Sequence, residues 1–121
     1  MSSEPRELSL DAIFELLCRR RRRYALYVLY RNGENGIPLE ELATRVSELE
    51  TGGDETSYGD ETTYEHETLV LLLRERHLPK LAEAYVIDFD ERSGTVRYHG
   101  QPSLEEWIEH AEFKEGKQSD G

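Results

Sequence analysis

Only one stretch of this chain alternates apolar and polar residues with the period of two that a pleated strand requires. It runs through Tyr85-Val-Ile-Asp-Phe-Asp90 and resumes in Thr95-Val-Arg-Tyr-His-Gly100, on either side of Glu91-Arg-Ser-Gly94. Two such runs around a Gly-containing turn read as a β-hairpin over 85–100. Elsewhere the apolar residues recur at helical spacing. Leu10, Ile13, Phe14 and Leu17 fall at i, i+3, i+4 and i+7, behind Ser9 as a helix cap. A mainly α fold with one small hairpin is therefore predicted.

The helices follow in order. After Cys18 comes the block Arg19, Arg20, Arg21, Arg22 and Arg23, then the apolar run Tyr24 to Tyr30, closed by Arg31-Asn-Gly33. This reads as two helices bending near Cys18, or as one long helix. Leu39, Leu42, Ala43 and Val46 form the stripe of a short helix with Pro38 near its start. Residues 50–62 read as a solvated acidic loop, because seven acids fall within 50–67 and no basic residue lies between Arg45 and Arg74. A longer helix follows from about Thr63 to Ala84, with a kink or restart expected at Pro79, which lacks the backbone donor. A last helix is expected over 102–113, with Ser103 and Glu106 as a capping box. Residues 1–8 and 114–121 read as loose ends, leaving one domain over 9–113.

Charge narrows the function classes. The chain has 121 residues and a net charge of −11, and residues 1–48 are neutral, so residues 49–121 carry the whole imbalance. That excludes a uniformly basic nucleic-acid module and disfavours an anionic membrane surface. Acid excess with few lysines suits a salt-adapted, soluble cytoplasmic protein, and neither a targeting segment nor a membrane span is expected. No catalytic or metal-binding spacing joins the four histidines, and there is no Gly-rich phosphate loop, so a non-enzymatic protein without metal or cofactor is expected. Cys18 reads as a buried structural thiol, the alternative being a redox sensor beside the arginines. His77 reads as a structural residue at a helix end. Five consecutive arginines on one helix must point in every direction, so some face inward; salt bridges with stems packed over the core is one reading of them, phosphate contact the other.

Specific stretches carry a resemblance. Leu8-Ser-Leu-Asp-Ala-Ile-Phe-Glu-Leu-Leu17, the arginines before Tyr24-Ala-Leu-Tyr-Val-Leu29, Leu39-Glu-Glu-Leu-Ala43, and His77-Leu-Pro-Lys-Leu-Ala-Glu-Ala84 before a Val-Ile-Asp-Phe-Asp strand resemble an uncharacterised haloarchaeal domain family. That family looks like a divergent relative of ArsR- and MarR-type regulators, and the resemblance covers about residues 8–100. It implies a winged helix-turn-helix that binds double-stranded DNA as a homodimer. Three departures stand out: Cys18-Arg19 replaces a small polar pair, Tyr85 replaces a Gly where a left-handed residue is wanted, and the 50–62 loop is unusually acidic.

In that fold the helix from Thr63 to Ala84 would enter the major groove and the hairpin would be the wing. The expected DNA-contacting residues are then Thr63, Tyr64, His66, Thr68, Arg74, Arg76, Lys80, Arg92 and Arg97, with Arg19 to Arg23 as secondary phosphate contacts. Arg76 and Lys80 should share a helix face, and Arg74 could turn inward. Tyr24, Tyr27, Tyr30, Leu69, Leu72, Leu73, Trp107 and Ile108 look like more apolar surface than one domain can cover, and so like the dimer face. The alternative is a protein-interaction scaffold whose acidic 50–67 segment receives a basic partner.

Overall fold

The computed structural model describes residues 8–51 and 59–119. The outer parts of the expected loose ends, residues 1–7 and 120–121, and residues 52–58 of the expected acidic loop lie outside the described residues. The rest is mainly helical, with a small three-stranded antiparallel sheet.

Helix α1 (Leu10–Leu17) starts where Ser9 accepts from the Ala12 N–H at 3.1 Å. The chain breaks at Cys18 and Arg19, the latter extended at φ −106°, and α2 (Arg20–Asn32) ends in Gly33 at φ +73°. Two separate helices form. Cys18 is exposed, which corrects its expected burial; its thiol lies 3.3 Å from the Glu15 carbonyl at the frayed end of α1.

A strand that sequence reading missed, β1 (Ile37–Pro38), precedes α3 (Leu39–Thr51). Two residues are too few to show a period. Pro38 is tolerated because β1 is an edge strand. Helix α3 runs five residues past Val46, so positions 50 and 51 of the expected loop are helical.

Helix α4 (Gly59–Leu72) starts earlier than expected and takes in residues 59–62. It passes into one π turn (Leu73–His77) and then α5 (Leu78–Glu83), where Pro79 sits in the first turn. Pro79 cannot donate a hydrogen bond, and its ring crowds the preceding turn. The chain answers by winding one extra residue, with the Leu78 N–H bonding five residues back to the Leu73 carbonyl. This is the expected interruption, in the form of a π bulge.

Tyr85 ends α5 at φ +63°, the left-handed position where relatives are expected to carry Gly. Its N–H bonds the Ala82 carbonyl at 3.0 Å and the next N–H, of buried Val86, bonds Leu81 at 3.0 Å. That is the Schellman pattern. The hairpin follows as β2 (Ile87–Asp90) and β3 (Thr95–Tyr98), with Gly94 at φ +72° in the turn. Strand order is β1-β3-β2, with Ile37 opposite Val96 and Phe89 also opposite Val96.

Helix α6 (Pro102–Ser119) is six residues longer than expected, so positions 114–119 are not a loose tail. It begins with Pro102 in the first helical position and Glu105 N–H bonding Gln101, which places Ser103 inside the first turn rather than at the cap. Its added length is held by polar ties to α2. Glu115 accepts from Arg23 at 2.7 Å and from the Tyr27 hydroxyl at 2.5 Å. Glu112 pairs with Arg31 at 2.7 Å, Glu109 accepts from Tyr30, and Glu105 accepts from Tyr98 of β3 at 2.8 Å.

One core joins all of this. Leu26, Leu29, Leu42, Leu73, Leu78, Leu81, Leu104 and Ile108 are fully buried in it. Tyr27, Leu69, Leu73 and Ile108, expected at a dimer face, are instead core residues of a single chain, because its own helices close over them: α6 packs on α1 and α2, α4 on α3, and the π turn on α2. Tyr24, Tyr30 and Trp107 pack partly buried against the same core. Replacing Ile108 by Ala should therefore cost about 2–4 kcal/mol in urea unfolding, and the loss should not depend on protein concentration. A dimer-face residue would give a concentration-dependent loss.

Candidate nucleic-acid interface and a cationic cleft

The arginine block is organised by the end of α1. Three of that helix's last carbonyls have no partner of their own within the helix. Arg22, almost fully buried, donates from Nε to the Leu16 carbonyl at 3.0 Å and from Nη2 to the Glu15 carbonyl at 2.5 Å. Arg23 donates to the Leu17 carbonyl at 2.7 Å and, with its other nitrogens, to Glu115. Two members of the block thus cap α1. Burial lowers the Arg22 pKa but leaves a guanidinium charged at any ordinary pH. Arg23 raises the demand on its partner: its hydrogen bond, opposed by burial and joined by that of Tyr27, holds Glu115 below the usual carboxylate range.

The remaining arginines look outward. Arg21 pairs with Glu50 at the end of α3 at 2.7 Å, and Arg20 lies 5.8 Å over the Tyr24 ring. Arg19 is exposed. Together with Arg76 of the π turn and Lys80 of α5 they surround a cavity of about 720 Å³. Lys80 is tied to Glu15 on the rim at 2.8 Å and holds that carboxyl below its usual range. Half-buried Leu72 and buried His77 also line the cavity. Leu72, expected at a dimer face, therefore lines this cleft.

His77 reports on the cleft's charge. Its burial, reinforced by the guanidiniums of Arg22, Arg21, Arg76 and Arg19, pushes the imidazole down to about 4. It is neutral near pH 7, and its Nδ1, 3.5 Å from Arg22 Nη1, is free to accept.

The wing side is different. Arg74 is exposed and lines two smaller cavities, of about 430 and 400 Å³, each shared with Phe89 and Glu91 of the hairpin. It does not turn into the core. Arg92 is exposed at the turn, where its N–H bonds Asp90 at 3.1 Å. Arg97 is exposed but reaches the Glu34 carbonyl at 3.1 Å. His99 pairs with Asp88 at 3.0 Å, and His66 lies 3.9 Å from Glu40. Thr68 is exposed; Thr63 and Tyr64 lie in α4, with side chains outside the described set.

The expected DNA-contacting residues therefore fall into two groups. Arg76 and Lys80 do share a face, but with the α2 arginines. Arg74 groups with the wing, among Asp88, Asp90, Glu91 and Glu40. Sequence reasoning missed Arg22 as a helix cap and His77 as its neighbour. The only available signal was that five arginines in helical register must send some inward, and it does not say which.

A family model, Domain of unknown function (DUF7344), matches residues 14–97. The chain belongs to this family. The DUF7344 match takes in the cleft and the hairpin and stops before α6. Neither a curated protein nor a solved structure matches the chain. Among the described residues, no group of three or more His, Cys, Asp or Glu could hold a metal ion, and no helix is long and apolar enough to cross a membrane.

The buried histidine makes stability pH-dependent. Its folded pKa, about 4, lies below the 6.5 of a free ring, so the unfolded chain takes up a proton first as pH falls. The His77 contribution is intact above about pH 6.5 and is lost progressively toward pH 4, by at most about 3 kcal/mol. Urea midpoints of the parent and of His77→Gln across that window should converge as pH drops, with the variant showing the flatter profile.

Proposed function

We propose that this DUF7344 protein is a winged-helix DNA-binding regulator that performs no catalysis. The observation that carries the reading is the arrangement α2–β1–α3–α4/α5–β2–β3 with strand order β1-β3-β2. In a winged helix this order sets the recognition helix beside a two-stranded wing, so that both approach one duplex. Here α4 and its continuation are the recognition element. Thr68 and Arg74, exposed along it, with Arg92 and Arg97 on the wing, are the groups that this reading assigns to phosphates and bases.

The electrostatics of that face are mixed. Glu67, Asp88, Asp90 and Glu91 are exposed among these cations and oppose a phosphate backbone at low ionic strength. At about 1 M salt the Debye length is about 3 Å, which screens that repulsion and leaves hydrogen bonding and shape to supply affinity. A salt-rich cytoplasm suits this surface. Pairing of two copies belongs to the same reading, through exposed Leu10 and Phe14 of α1 and through Trp107 of α6, whose ring meets Phe14 edge-on at 5.3 Å. Sedimentation should then give about twice the 14.1 kDa chain mass.

Selection of genomic DNA fragments at low and at molar salt tests the proposal. Specific enrichment is expected, and Arg74→Ala with Arg92→Ala should lower the salt slope by roughly one per lost phosphate contact. Enrichment at neither salt concentration removes the regulator reading. The carboxylates of the wing and of α4 would then favour a scaffold that docks a basic protein.

A further inference from the structure

The cationic cleft lies away from the hairpin, and the DNA-binding reading makes no use of it. We propose that it is a binding site for a small oligophosphate anion, such as the di- or triphosphate group of a metabolite. Six cationic side chains converge on it against the single carboxylate of Glu50, in a chain whose net charge is −11. They come from three elements, the start of α2, the π turn and α5, so the concentration of charge is a product of folding and not of one helix end.

Each cation has a distinct part. Arg22 is committed to the α1 carbonyls and supplies a fixed field from the floor. Arg19 and Arg76 make no ion pair among the described residues, whereas Arg20 lies over the Tyr24 ring and within the field of Glu115. Two guanidiniums are thereby left to grip oxygens in the two-pronged manner that suits phosphate. Lys80 is held by an exposed pair with Glu15 that can be exchanged for a phosphate oxygen, whereas Arg21 stays with the partly buried Glu50. Burial first, and then the charges of Arg22, Arg21, Arg76 and Arg19, keep the neighbouring His77 ring neutral, so it adds no charge of its own to the cleft.

The volume of the cleft suits a small ligand. The cations line a cavity of about 720 Å³, within the roughly 300–1,000 Å³ typical of small-molecule sites. Six cationic side chains line this one hollow beside the single carboxylate of Glu50, which concentrates positive charge on a ligand of that size.

Inorganic tripolyphosphate titrated calorimetrically into the full chain at about 0.1 M salt is the test. Saturable one-site binding is expected, weakened at least roughly tenfold in Arg19→Ala/Arg76→Ala. Both side chains are exposed, so the double variant should keep the parent's urea midpoint. Arg45→Ala, which alters an exposed arginine of α3 outside the cleft, should bind as the parent does. The assigned His77 ring signals should shift on titration of the parent. Absence of saturable binding, or equal binding by the double variant, overturns the proposal. So does displacement of tripolyphosphate by duplex DNA with the same arginine dependence, which would assign the cleft to the DNA backbone. The probe contains no nucleic acid, so failure of the regulator reading leaves this result standing.

Discussion

A charge with almost no exposure has to be answered by dipoles, and Arg22 is answered by the end of a helix. Its guanidinium takes the Leu16 and Glu15 carbonyls that α1 leaves open, which fixes where α1 stops and how α2 starts. Each buried carbonyl left without a donor would cost about 1–3 kcal/mol, so the junction tolerates little rearrangement. Because Arg22 also abuts His77, the same contact sets the start of α2 against the π turn. The position of the outward-facing arginines, and therefore the cleft, follows from Arg22 and from Arg23, which caps the same helix end.

Much of the local architecture was legible in short-range chemistry. The hairpin showed in its alternation and in Gly94. The stop at Gly33 and the interruption near Pro79 each had a residue that announced it, whereas the break at Cys18 stood open against one long helix. Tyr85 was also readable: a left-handed terminus was expected there, and a tyrosine occupies it at φ +63°. What escaped lay beyond local signals. β1 is two residues long and exists only because β3 pairs with it. The last six residues of α6 are polar and are helical because Glu115 finds Arg23 and Tyr27 across a gap of about ninety positions.

The candidate site was legible in composition but not in grouping. The arginine block, the recognition-helix cations and the wing cations were each visible. Their division between two faces was not, since it depends on how α2 crosses the π turn. The surplus of apolar residues was misread for a similar reason. Tyr27, Leu69 and Ile108 looked uncovered when each helix was read alone, and the packing of α6 on α1 and α2 and of α4 on α3 supplies their cover.

The attachment of α6 changes character along its length. Near its start, Leu104 and Ile108 are buried in the core. Further on, where Ala111 is the last apolar side chain packed against the core, Glu109, Glu112 and Glu115 attach it to α2 through hydroxyls and guanidiniums. Buried methyl groups release only when the whole domain opens, whereas ion pairs at a helix tip can let go singly. The helix is therefore a peelable strip, welded at one end and buttoned along the other. Amide protons should record that gradient, exchanging slowly around Ile108 and progressively faster toward Ser119.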